Sequence, residues 1–179
     1  MEKTMKKLFL AVLMMVNIFA LSIGEKPKKV ILENEDGGYV KDGSSWSSEM
    51  IKDKIYVMFY VDPDEKDKNE RVAQALKKKH FDRSKYGSIA IINMAATWKP
   101  NFIIQKILES KQKKYEDTIY VMDQNKVLVD KWGLADDESD ILLFDKDGSV
   151  LFYKAGRLSD EDIGKLIHII EVKINEEQA

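Results

Sequence analysis

The chain has no cysteine among its 179 residues, and only three prolines, nine glycines and two histidines. Without sulfur of that kind there is no disulfide to staple the fold, no thiolate nucleophile and no thiol pair for electron exchange. Thiol–disulfide oxidoreductase and thiol peroxidase activities are therefore excluded. His80 and His168 each fall in an expected helix without a second histidine at i+3 or i+4, so no transition-metal ligand pair is present. Ser44, Ser45 and Ser139 offer hydroxyls, but no His–Asp pair can be assigned to them as a catalytic triad. Internal repeats, low-complexity stretches and linkers are absent as well, which leaves one domain.

The composition is 44% apolar, enough for a proper core in a chain of this length. Its one long apolar run, Leu8 to Val16, follows Lys3, Lys6 and Lys7 and leads to Ser22-Ile23-Gly24. That is the three-part layout of a secretory signal peptide, with small residues at the −3 and −1 positions of a cut before Glu25. An uncleaved anchor is the alternative, but the run ends near Leu21, is interrupted by Asn17, and falls short of the ~20 apolar residues a spanning helix needs. The expected organisation is a leader over residues 1–24 and one domain over 25–179, exported to the periplasm. Removing the leader takes away three lysines and one glutamate, leaving 26 basic and 30 acidic residues, a net charge of −4. Mild acidity argues against a nucleic-acid partner, since phosphate neutralisation needs a basic face. No membrane partner is expected after cleavage.

Along the mature chain, residues 28–33 and 39–41 flank Asp36-Gly37-Gly38, a hairpin signal. The run 54–61 reads as a strand buried on both faces. A helix is expected directly after it, with Asp62 as N-cap, Pro63 at the first helical position and Glu65 closing a capping box. A second buried strand covers 88–93. Pro100 opens a helix whose Ile103, Ile104, Ile107 and Leu108 share one face. A third strand spans 118–122, and a short helix over 125–132 stops at Gly133. Two strands, 140–144 and 150–154, are joined by Asp145-Lys146-Asp147-Gly148. A last helix starts at Ser159 with Ile163, Leu166, Ile167, Ile170 and Ile174 along one stripe. Strands alternating with helices call for an α/β fold with a mixed sheet flanked by helices and an N-terminal β-hairpin.

Two stretches resemble the thioredoxin-like superfamily in its exported and peroxiredoxin-like branch. Asp123-Gln124-Asn125-Lys126-Val127-Leu128-Val129-Asp130-Lys131-Trp132-Gly133-Leu134 is similar to a segment of those proteins that closes on an aromatic, a glycine and Val or Leu. Ile141 to Val150, then Gly156 and the last helix, resembles their terminal ββα unit. Lys66-Asp67-Lys68-Asn69, Trp132-Gly133-Leu134, Asp136-Asp137-Glu138-Ser139 and Leu158-Ser159-Asp160-Glu161 together resemble the YtfJ family of small exported bacterial proteins. The resemblance implies a thioredoxin-like fold and a periplasmic location, and it implies no known reaction. A transcriptional-regulator label carried by some members fits poorly with a leader and an acidic chain. It also implies that the thiol positions of redox-active relatives fall near Asp64 and Asp67, and their cis-proline near Ser139, where no proline stands.

On that fold, Asp62, Asp64 and Glu65 would face Asp136, Asp137, Glu138 and Asp140, with Asp67 and Ser139 as further candidate binding residues. Converging carboxylates suit a hard divalent cation such as calcium, which needs six to eight oxygens. The blander reading is a helix cap on one side and a solvated loop on the other. Trp46 and Trp98, both in expected loops, would line a groove for a peptide or small ligand, or simply pack beneath those loops. Trp132 is expected in the core. Lysine runs at 77–79 and 111–114 suit helix C-termini. No cofactor is called for. The leading expectation is a non-redox binding or adaptor module for a periplasmic protein or peptide. The alternative is a cation binder or metal-dependent enzyme built on the acidic cluster.

Overall fold

The computed structural model describes residues 21–176. The expected leader lies outside the described residues except for its last four positions. Eight strands and four α-helices follow in the order β1 (Ile31–Leu32), β2 (Gly37–Tyr39), β3 (Trp46–Ser47), β4 (Ile55–Val61), α1 (Glu70–Lys79), β5 (Tyr86–Asn93), α2 (Asn101–Lys114), β6 (Thr118–Asp123), α3 (Val127–Trp132), β7 (Ser139–Phe144), β8 (Val150–Lys154) and α4 (Asp160–Asn175). A six-stranded sheet runs β2-β6-β5-β4-β7-β8, and β1 pairs with β3 in a separate two-stranded sheet. β4, β5 and β6 are parallel, while β2, β7 and β8 add antiparallel pairs at either side. The α/β class and the mixed sheet are as expected.

Sheet alternation divides the core. Met58, Tyr60, Ile89, Ile91, Val121 and Leu142 face one side, where Leu128 and Trp132 of α3 meet Leu32 and Trp46 of the N-terminal strand pair. On the other side Ile55, Val57 and Leu143 pack under Val72 and Leu76 of α1 and Ile163, Leu166 and Ile170 of α4. Ile92, Tyr120 and Met122 continue that side beneath Ile104 and Leu108 of α2. The start of the described chain seals one sheet edge: Gly24 N–H donates to the Val150 carbonyl at 2.7 Å, and Val150 N–H to that of Glu25 at 3.0 Å.

Four local expectations are corrected. The N-terminal strand pair exists, but no hairpin turns at 36–38: Leu32 pairs with Trp46, and Gly37–Tyr39 joins β6 instead. Gly37 has φ 119°, and a Cβ there would collide with the Met122 carbonyl, so the glycine serves a close approach to β6 rather than a tight turn. The first helix begins at Glu70, not beside Asp62. Between them the chain winds through successive turns in which Glu65 N–H reaches the Asp62 carbonyl and Lys68 N–H reaches that of Glu65. On α2 only Ile104 and Leu108 are buried, while Ile103 and Ile107 face outward. Finally, Trp46 lies in strand β3 and is wholly buried, so it lines no groove. The last helix matches its expectation in detail, with a reciprocal capping box between Ser159 and Asp162.

Candidate functional site

The C-terminal ends of parallel strands gather the loops where ligands of open α/β sheets bind. Here the loop after β4 meets the loop before β7 in antiparallel register, Val61 opposite Ser139 and Tyr60 opposite Asp140. Asp62 N–H continues that pairing by donating to the Glu138 carbonyl at 3.0 Å. Two expected halves, 62–67 and 136–140, are thus brought together as anticipated. Glu65 and Glu138 meet on Lys68, but Ser139 and Asp140 point to opposite faces.

Neighbours along a strand point to opposite faces, and this separates Ser139 from Asp140. Ser139 turns to the α1 side. There Asn69 Nδ2 donates to its carbonyl at 2.9 Å and sits 3.2 Å from its hydroxyl. The same amide reaches the Gly156 carbonyl at 2.8 Å, and Asn69 Oδ1 accepts from Leu158 N–H at 3.0 Å. Buried Asn69, at the start of α1, therefore ties β7 to the segment leading into α4. Asp140 turns to the opposite face and is completely buried. Its Oδ2 accepts from Ala135 N–H at 2.8 Å and lies 3.5 Å from the Tyr153 hydroxyl, while Oδ1 has no partner among the described residues. Burial raises its pKa to about 6, and burial next to that carboxylate pushes Tyr153 up to about 12.

Further buried polar groups share the Asp140 face. Tyr60 donates to Asp123 at 3.1 Å, and Asp123 accepts from Val127 and Leu128 N–H at 2.8 and 3.0 Å, which caps the start of α3. Burial holds Asp123 above the ordinary carboxylate range and Tyr60 above that of a phenol. Asn93 Nδ2 binds Asp136 at 2.9 Å, and Lys126 pairs with the same carboxylate at 2.6 Å. The lysine's hydrogen bond lowers the Asp136 pKa.

Around the exposed rim nearly every acidic side chain already has a partner. Asp64 accepts from Lys99 and, at 2.8 Å, from the Thr97 hydroxyl, and those bonds pull its pKa down. Lys68 stands between Glu65 at 2.9 Å and Glu138 at 2.5 Å, which raises its own pKa. Asp67 pairs with Lys66 at 2.7 Å. Asp62 is buried and accepts from Asp64 N–H at 2.8 Å; burial raises its pKa. Among the described residues no group of three or more His, Asp or Glu side chains is placed to hold a metal ion. Trp98 stands out into solvent beside Lys99, so it borders the rim while Trp46 does not reach it. No sequence pattern marks Lys68, Asn69, Thr97 and Lys99 as site residues. Lys68 and Asn69 were visible only inside the Lys66-Asp67-Lys68-Asn69 stretch.

A thioredoxin-like sheet whose loop after β4 is an ion-paired rim, in a chain without cysteine, defines a non-thiol member of that fold. Solved structures agree on the fold. A thiol-disulfide isomerase from Corynebacterium glutamicum is similar at TM-score 0.55 and 18% identity, covering 79% of this chain and 95% of its own. A peroxiredoxin-like protein from Aquifex aeolicus gives 0.57 at 14% identity, covering 84% and 91%. The 2-Cys peroxiredoxin of Plasmodium vivax gives 0.59 at 10% identity, covering 88% and 99%. Within that fold, the family profile described as "Bacterial protein of unknown function (YtfJ_HI0045)" matches residues 17–173. The chain belongs to this family. It is 24% identical to the Escherichia coli K12 protein YtfJ over 146 residues, 80% of this chain and 77% of that one. A Haemophilus influenzae Rd protein is 30% identical over 129 residues, 70% of each.

Proposed function

We propose that the chain is an exported, non-redox binding module that presents the rim at 62–68, 97–99 and 136–138 to a protein or peptide partner. One observation carries this reading: the loop after β4, where the resemblance implies the thiols of redox-active relatives would fall, is fixed in place by charged and amide side chains. Asn69 anchors its end, Lys68 bridges it to Glu138, and Lys99 and Thr97 hold Asp64. Fixed polar groups on a rigid support suit recognition, because little side-chain entropy remains to be lost on binding. The leader-like run at residues 8–16 supports export to the periplasm, with the mature chain beginning at Glu25.

The cation reading has lost its support, because its carboxylates are divided between two faces and mostly ion-paired. The test is affinity recovery from periplasm with the native chain and with the variant Asp64→Ala/Glu65→Ala/Lys99→Ala, the fold of each checked by circular dichroism. Recovery of a defined partner by the native chain and its loss with the variant is the expected result. Equal recovery by both would show the rim to be idle. N-terminal sequencing of protein from cells should begin at or near Glu25, and a retained Met1 would end the export reading.

A further inference from the structure

Helix α2 and the loop before it carry the largest concentration of exposed apolar side chains among the described residues. Trp98 is 86% exposed, Phe102 62%, Ile107 49% and Ile103 41%. Ile103 and Ile107, four apart, sit one above the other on the helix, and Phe102 and Lys106 do the same on its next row. The helix is held to the sheet by Ile104 and Leu108 and by the Gln112 amide, which bonds Thr118 and Tyr120 of β6, so this outer surface has no role in the core. Surface patches of this kind on a folded chain mark an interaction site.

Charge selects the occupant. Lys106, Lys111, Lys113 and Lys114 lie on α2 against the single acid Glu109, in a chain whose net charge is −2. Lys106, Lys111 and Lys113 are exposed, and Lys106 and Lys113 form no ion pair among the described residues. Shape selects further. Of two hollows of about 530 and 490 Å³, the smaller is walled in part by Glu109, Gln112 and Lys113 of α2, but none of the four apolar side chains is in the wall of either. A peptide anchored by large side chains needs such a hollow. A convex ridge of Trp, Phe and Ile with flanking lysines fits a surface that deforms around it and carries negative charge. We propose that α2 with Trp98 is a peripheral docking surface for an anionic lipid bilayer, the indole and phenyl rings entering the headgroup boundary and Lys106, Lys111 and Lys113 meeting lipid phosphates. This stands apart from the partner reading of the rim, and it departs from the expectation of no membrane contact after leader cleavage.

Trp98 reports on this directly, because Trp46 and Trp132 are buried. The full chain, and the chain starting at Glu25, would be mixed with vesicles of phosphatidylglycerol and phosphatidylcholine, and with pure phosphatidylcholine, each with or without brominated acyl chains. Quenching by brominated lipid is expected in both chains on anionic vesicles and is expected to vanish in Trp98→Phe. Each near-surface lysine contributes roughly fivefold to partitioning, so Lys106→Gln/Lys111→Gln/Lys113→Gln should weaken it on the order of 100-fold. Phe102→Ser/Ile107→Ser should also weaken it, with melting unchanged in both variants. The proposal is overturned by absence of quenching, by quenching only when residues 1–24 are present, or by equal quenching on zwitterionic vesicles. Shielding of Trp98 from acrylamide by periplasmic protein but not by vesicles would also overturn it, and would assign the ridge to a protein.

Discussion

Asp140 is a carboxylate placed where water does not reach, with one oxygen hydrogen-bonded and the other unpartnered among the described residues. Its folded pKa of about 6 lies above the ordinary aspartate value. Between roughly pH 4 and 6 the native state therefore binds more protons than the unfolded one, and stability falls as pH rises through that window. The penalty is complete above the folded pKa, where a shift of two units corresponds to about 2–3 kcal/mol. Asp140→Asn keeps an acceptor for Ala135 N–H and removes the titration. Stability measured by urea unfolding should then vary less between about pH 4 and pH 7 than in the native chain, with a residual slope from Asp123. An unchanged slope would mean that Asp140 is not the titrating group. Asn69 is a buried residue of the opposite kind, with both ends of its amide engaged by three backbone groups and a hydroxyl. Asn69→Ala leaves Leu158 N–H and two carbonyls without it, a loss of about 3 kcal/mol. For a chain of this size the melting temperature should drop by roughly 10 °C. A drop of only a degree or two would show that those groups find water.

At the scale of elements, Gly37 decides whether β2 can join the sheet. Any Cβ at its φ of 119° meets the Met122 carbonyl, so Gly37→Ala should cost at least about 2 kcal/mol in strain and detach this edge. Hydrogen exchange should then speed up at Val40 and Gln124, whose N–H groups bind the Tyr120 and Asp36 carbonyls beside the pair. Protection equal to the native chain would show that the edge tolerates the methyl group. The same glycine shows what sequence patterning could and could not supply. Asp36-Gly37-Gly38 carries a true requirement for glycine, but the partner that imposes it is β6, some eighty positions away, and local pattern is blind to that. Buried strands and the capped α4 were legible because their signals are local: continuous apolar runs and Ser159 with Asp162. The start of α1 was misplaced because Asp62, Pro63 and Glu65 make good capping chemistry, yet Asp62 is held instead by pairing across to Glu138. In the site, the proximity of 62–67 and 136–140 followed from fold resemblance. The split between Ser139 and Asp140 follows from strand alternation, and needed only the start of β7 to be known. The bonds of Asn69 and Lys99 depend on tertiary geometry, which no spacing in the sequence encodes.

Over the whole molecule, the acidic excess gathers at the rim, where Asp62, Asp64, Glu65, Asp67, Asp136, Asp137 and Glu138 stand against four lysines. Lys66, Lys68, Lys99 and Lys126 each sit on a carboxylate of the 62–68 or 136–138 segments. Individually such surface pairs contribute little to stability, but they set what the rim can bind. A divalent cation would have to displace ammonium groups from Asp64, Glu65 and Glu138 and then gather six or more oxygens from side chains that point to two sides of the sheet. Calcium at millimolar concentration should therefore leave the melting temperature where a chelator leaves it. A genuine site occupied at about a hundredfold over its Kd adds about 2.7 kcal/mol, which would raise the melting temperature by roughly 5–10 °C in a chain of this length. A rise of that size would restore the cation reading and require the rim lysines to move. Its absence leaves hydrogen-bonded and charged groups held in fixed positions, the arrangement on which the proposed recognition of a partner rests.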